Sequence, residues 1–159
     1  MKRFKYMLLV LALLVLSGPS FAEVSTWKID TDHTSAQFKI QHMVITSVRG
    51  EFPDVQGTVL VDDEDITRSS VDAVIAADSI STNHAKRDKH LKSADFFNVE
   101  KYPTLTFKSK KITREEENRF RVLGDLTMHG VTKEVELLVT GSTRTIKDPW
   151  GNLRMGAQA

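Results

Sequence analysis

The chain contains no cysteine in its 159 residues. Disulfides and thiolate chemistry are therefore excluded, and no cysteine follows the N-terminal apolar run to carry a lipoprotein anchor. It has no G-x-S-x-G nucleophile motif and none of the compact two-histidine spacing of a zinc site. No apolar run reaches the roughly 20 residues that span a bilayer; the run Tyr6–Leu16 stops at eleven. It also lacks an excess of one charge. Of 22 basic residues, Lys2, Arg3 and Lys5 precede that run; the remaining 19 face 21 acidic residues, a net charge of −2. Nucleic-acid binding, which calls for a basic patch, is not indicated.

The three N-terminal cations, the apolar run and the small residues at Ser20 and Ala22 together read as a secretory signal peptide over residues 1–22, cut after Ala22. The leader's brevity suggests a bacterial origin, which makes the periplasm the expected location. Removing it leaves 137 residues, 23–159, enough for one domain.

Apolar residues then recur with a period of two, the spacing of half-buried strands. Trp27 and Ile29 form one set, followed by Ala36, Phe38 and Ile40. Val55, Gly57, Val59 and Val61 come next, then Val71, Ala73, Ile75 and Ala77. Leu105 and Phe107 follow, then Phe120, Val122, Gly124, Leu126 and Met128, and finally Val131, Val135, Leu137 and Val139. Gly50 and Phe52-Pro53 read as a bend. Asp62–Asp65 reads as an acidic turn, and Arg114–Asn118 as a charged hairpin tip. His129-Gly130 suits a two-residue hairpin turn, and Asp148-Pro149-Trp150-Gly151 a type I turn. Leu153–Ala159 begins a further strand. Many antiparallel strands with one apolar face each predict a sandwich or a barrel.

The stretch Ser81–Phe107 interrupts this β pattern. Good helix formers over about residues 84–93 predict a single inserted helix, capped by Ser81, Thr82 or Asn83. The sequence T-N-H-A-x-R-D-x-H-L-x-S-x-D-F-F, the Lys101-Tyr102-Pro103 that follows, and Gly124-Asp125-Leu126-Thr127 with His129-Gly130-Val131-Thr132-Lys133 resemble the YceI-like polyisoprenoid-binding family. The resemblance runs from about Trp27 to Gly156. It implies a mainly β fold, a lipocalin-like antiparallel barrel around an elongated apolar cavity. It also implies a non-enzymatic periplasmic carrier for a polyisoprenoid or similar amphiphile, of the quinone or polyprenyl class, with no other cofactor. Family members continue past the W-G-x-x-R-x-G segment, so an incomplete barrel is expected for a chain ending at Ala159.

The cavity candidates are Phe38, Ile40, Val59, Ile75, Leu91, Phe97, Leu105, Phe107, Val122, Leu126, Leu137 and Val139. On the residues alone, this inward set serves a packed core as well as a cavity. The small residues Gly57, Ala73, Ala77 and Gly124 in the same phase leave room inside. Arg87 and Asp88, about 100° apart on a helix, read as ties between the helix and the barrel rim. The rival readings are a stress-response interaction module with a filled core, and a hydrolytic enzyme using Asp88 and His90. The five histidines read as surface, turn and capping residues, with no metal site. The cations Lys86, Arg87, Lys89 and Lys92 read as a solvated face, with transient membrane-surface contact as the functional alternative. Homodimerisation stays open.

Overall fold

The computed structural model describes residues 24–141 and 144–159; the expected leader lies outside them. The alternating segments become strands β1 (Val24–Lys28), β2 (Ala36–His42), β4 (Val55–Asp62), β5 (Ser70–Ala76), β6 (Thr104–Glu116), β7 (Arg119–Met128) and β8 (Val131–Gly141), and a strand that the alternation did not mark, β3 (Thr46–Phe52), lies between β2 and β4 in the chain. Three two-residue strands follow: β9 (Ile146–Lys147), β10 (Leu153–Arg154) and β11 (Ala157–Gln158). Seven strands form one antiparallel sheet in the order β1-β4-β5-β6-β7-β8-β11. The sheet is curled into a half-barrel: its outer strands β1 and β11 do not pair with each other. β2 pairs with β3, and β9 with β10, as separate hairpins.

Gly50 is a correction to the sequence reading. It sits inside β3, opposite Phe38, and not at a bend. A Cβ there would meet the Phe38 ring and the Thr82 methyl at 2.8 Å, so glycine is required by close approach and not by a turn. The His129-Gly130 turn forms as expected, with φ of 52° and 74° between the paired Met128 and Val131.

The single α-helix of the described residues, α1, spans Ala85–Lys92. Its cap is His84, whose Nδ1 accepts from the Arg87 N–H at 3.3 Å; Ser81, Thr82 and Asn83 do not cap it. Among the described residues no helix is long and apolar enough to cross a membrane.

The apolar interior divides into two clusters. One is Phe52, Ala77, Ile80 and Leu105, with Ala36, Phe38, Ile75, Leu91, Phe97 and Val99 packed on it. The other is Phe107, Ile112 and Val122, joined by Phe120, Leu126, Val135, Leu137, Val139 and two residues near the β5 end, Ile66 and Val71. Leu105 and Phe107 are neighbours in phase on β6 yet belong to different clusters, so β6 is the strand on which the two meet.

Candidate functional site: an apolar hollow between two clusters

Where the clusters face each other, they leave a hollow of about 330 Å³. Its walls come from both: Ala36, Phe38, Phe52, Ile75 and Leu105 from the first, and Phe107, Leu126, Val135 and Leu137 from the second. Gln37 is the one polar lining residue. With Gln37 alone to hold water, the hollow suits hydrocarbon.

Of the twelve cavity candidates, the structure gathers Phe38, Ile75, Leu105, Phe107, Leu126 and Leu137 around the hollow. Val122 and Val139 pack in the second cluster, and Leu91 and Phe97 in the first, all outside the lining. The Phe97 ring stacks edge-on to Phe52 at 5.4 Å, supporting the wall. Val59 is half-buried opposite Val71, away from the hollow. Ile40 is a correction: it stands 57% exposed, on a hairpin whose strands pair with each other and not with the main sheet.

The lining also includes Ala36, Phe52 and Val135. Periodicity already marked Ala36 and Val135 as apolar in phase; Phe52 was hidden because Pro53 made it look like part of a bend. The small residues do not make the space. The Phe107 ring fills the volume beside Gly124, where a Cβ would lie 2.6 Å from its tip. Gly57 serves the close approach of β4 to β5, where a Cβ would meet the Ala73 backbone at 2.9 Å. The hollow arises from the gap between clusters.

Arg87 and Asp88 converge, against the expectation from helix geometry, because both reach Thr82, which is buried. The Thr82 N–H donates to Asp88 Oδ1 at 2.9 Å, and its hydroxyl donates to the same oxygen. Arg87 Nε donates to Thr82 Oγ1 at 2.7 Å, and Nη2 to the Thr82 carbonyl at 2.9 Å. The Thr82 hydroxyl, foremost, holds the Asp88 carboxyl below its ordinary value. Burial opposes this, and the N–H groups of Thr82 and His84 and the Arg87 charge assist it. One residue earlier, Ser81 exchanges two backbone hydrogen bonds of 2.9 Å with Glu51 of β3. The clamp therefore fastens α1 to the wall of the hollow.

Asp88 and His90 are not brought together. His90 Nε2 lies 3.3 Å from Asp95, and its ring meets the edge of Phe96. Of the other histidines, His33 bonds Asp30 at 3.0 Å, and His129 packs on Tyr102 with ring centroids 4.5 Å apart. The His42 side chain lies outside the described set. Among the described residues, no three His, Cys, Asp or Glu side chains are grouped to hold a metal ion. Arg154 links Asp148 of the C-terminal turn, at 3.0 Å, to Asp30 after β1, at 2.6 Å.

The YceI-like domain, as a family model, matches residues 27–156. The chain belongs to the YceI-like family. A UPF0312 protein of Photorhabdus laumondii is 40% identical over 151 residues, covering 91% of this YceI-like chain and 76% of that protein. The crystal structure of the Campylobacter jejuni YCEI protein is similar with a TM-score of 0.63 at 32% identity, covering 81% of this chain and 75% of that one. The Burkholderia cenocepacia protein BcnA shares the fold at 23% identity, with a TM-score of 0.64 over 69% of this chain and 68% of its own.

Proposed function

We propose that the protein binds a long-chain amphiphilic lipid of the polyisoprenoid class, a quinone or polyprenyl compound, in the hollow between the two clusters. The lipid is held without covalent chemistry, and the protein carries or buffers it in the periplasm. The observation that carries the reading is a hollow of about 330 Å³ with nine apolar lining residues and one glutamine. Membership of the YceI-like family supports it. The leader features of residues 1–22 support the periplasmic location.

Magnitudes define the kind of binding. A methylene is about the size of a water molecule, whose share of liquid volume is roughly 30 Å³, so the hollow takes on the order of ten carbons. That is about two isoprene units. At about 0.8 kcal/mol per buried carbon they contribute about 8 kcal/mol on leaving water, equivalent to micromolar affinity before ordering costs. A lipid arriving from a bilayer gains much less, because its tail leaves one hydrocarbon medium for another. Exchange with a membrane is then close to balanced, as a carrier requires. The remainder of a longer tail runs along the open side of the half-barrel.

The reading is tested by filling the hollow. Leu126→Trp adds bulk to its lining. Uptake of a fluorescent probe with a polyisoprenoid tail should fall at least about tenfold if the tail occupies that volume, while the protein still unfolds cooperatively. Equal uptake by the variant and the parent would place any bound lipid elsewhere.

A further inference from the structure

At the end of the β2–β3 hairpin, Met43, Val44 and Ile45 stand 73%, 83% and 81% exposed. Tight hairpin turns ordinarily carry glycine, asparagine or aspartate. The backbone makes these three residues harder to account for. Met43 and Val44 have φ of 51° and 65°, in the left-handed region where a β-branched side chain is strained. Asparagine and glycine would make this turn more easily. Keeping methionine and valine there points to a use for apolar side chains at that spot.

Two further features lie behind the tip. Lys39 and Arg49 face each other across the hairpin, and neither has an ion-pair partner among the described residues. Like charges directly opposite destabilise a strand pair. By contrast, Lys110 sits between Asp125 and Glu134, at 2.6 and 3.2 Å. The acidic residue on the Lys39/Arg49 face is Glu51, further from the tip and bridged through its backbone to Ser81. On the other face, exposed Ile40 continues the row of Phe38, which lines the hollow. An apolar track thus runs from the hollow through Ile40 toward the tip.

We propose that this hairpin docks the protein on an anionic lipid bilayer. Met43, Val44 and Ile45 enter the interface, and Lys39 and Arg49 meet the lipid phosphates. The dimensions agree. The last strand pair, His42 and Thr46, lies three residue steps from Lys39 and Arg49, roughly 10 Å of antiparallel strand. Interfacial elements bury about 5–10 Å into the headgroup boundary, so an inserted tip brings the two cations to headgroup level. Ile40 then lies between the bilayer and the hollow.

The test is sedimentation of the full chain, as its host produces it, with vesicles of phosphatidylcholine containing phosphatidylglycerol, and with vesicles of phosphatidylcholine alone. The parent sediments with the anionic vesicles and less with the neutral ones. The variant Met43→Asn/Val44→Gly/Ile45→Thr suits the observed φ values, so its melting temperature does not fall, yet its partitioning drops at least about tenfold. Lys39→Gln/Arg49→Gln reduces binding to anionic vesicles to the neutral level. A parent that fails to bind anionic vesicles, or a tip variant that binds as the parent does, overturns the proposal. A dimer that the tip variant abolishes also overturns it, since a second copy would then be the occupant. Docking is independent of what fills the hollow: vesicle binding with unchanged probe uptake, or the reverse, separates the two ideas.

Discussion

Phe107 and Thr82 each carry an arrangement that depends on their neighbours. The Phe107 ring occupies the space that Gly124 leaves open and forms part of the hollow's wall. Phe107→Ala should cost about 3–5 kcal/mol in urea unfolding, the usual range for a buried aromatic. Gly124→Ala, which drives a methyl into that ring, should cost about 1–3 kcal/mol. The double variant should lose less than the sum, because the smaller residue at 107 removes the ring from the methyl's path, although the Lys108 carbonyl, 2.6 Å from where that methyl would lie, still opposes it. Additive losses would mean that the two sites do not share that space. Thr82→Val keeps the shape of the clamp but removes the hydroxyl that donates to Asp88 and accepts from Arg87. It should cost about 1–3 kcal/mol, toward the lower end because water reaches Asp88. It should also loosen α1, which hydrogen exchange in residues 85–92 would show. Unchanged exchange there would mean that the helix is held by Leu91 and its apolar contacts alone.

Among the elements, the C-terminal hairpin of β9 and β10 is bound by one carboxylate. Asp148 accepts from the N–H groups of Trp150 and Asn152, from the Asn152 side chain and from Arg154. Burial pushes its carboxyl up, but these hydrogen bonds outweigh burial and hold it down at about 2, against an ordinary 3.8. A lowered folded pKa gives support that is complete above the ordinary value and lost as the pH falls toward the folded one. Between about pH 4 and pH 2 the hairpin should therefore loosen and Trp150 fluorescence should change. Asp148→Asn should show the looser state already at neutral pH. A signal that stays flat over that window would deny Asp148 this role.

The same scale shows what could be read in advance. β6, β7 and β8 were legible because apolar and polar residues alternate over long runs, as in Phe120 to Met128. β3 was not, because T-S-V-R-G-E-F offers only Val48 and Phe52 in phase and puts a glycine between them. That glycine marks the close approach of the Phe38 ring from the neighbouring strand, a tertiary fact that no local pattern contains. The helix was legible, but its cap was not, since Thr82 is drawn into the Arg87–Asp88 clamp and His84 takes the capping place.

In the whole molecule, an antiparallel sheet curls far enough to bring two apolar clusters face to face without closing them. Half of the candidate cavity residues were found at the hollow because the phase of each strand decides which side chains point inward. Leu91, Phe97, Val122 and Val139 pack beside the hollow and not in its lining, because phase cannot tell the wall of a hollow from the packed layer beside it. The ladders of β7 with β6 and with β8 are the longest in the sheet, while β1 and β11 are edges. Amide exchange should accordingly be slowest in β6 and β7 and fast in β11 and the β2–β3 hairpin; uniform protection would contradict an open half-barrel. The central claim is that the hollow holds a polyisoprenoid-class lipid. The most direct measurement is mass spectrometry of organic extracts from the protein purified from its bacterial host. The account predicts a long-chain isoprenoid or similar amphiphile, depleted in extracts of Leu126→Trp; extracts repeatedly free of such lipid would contradict it.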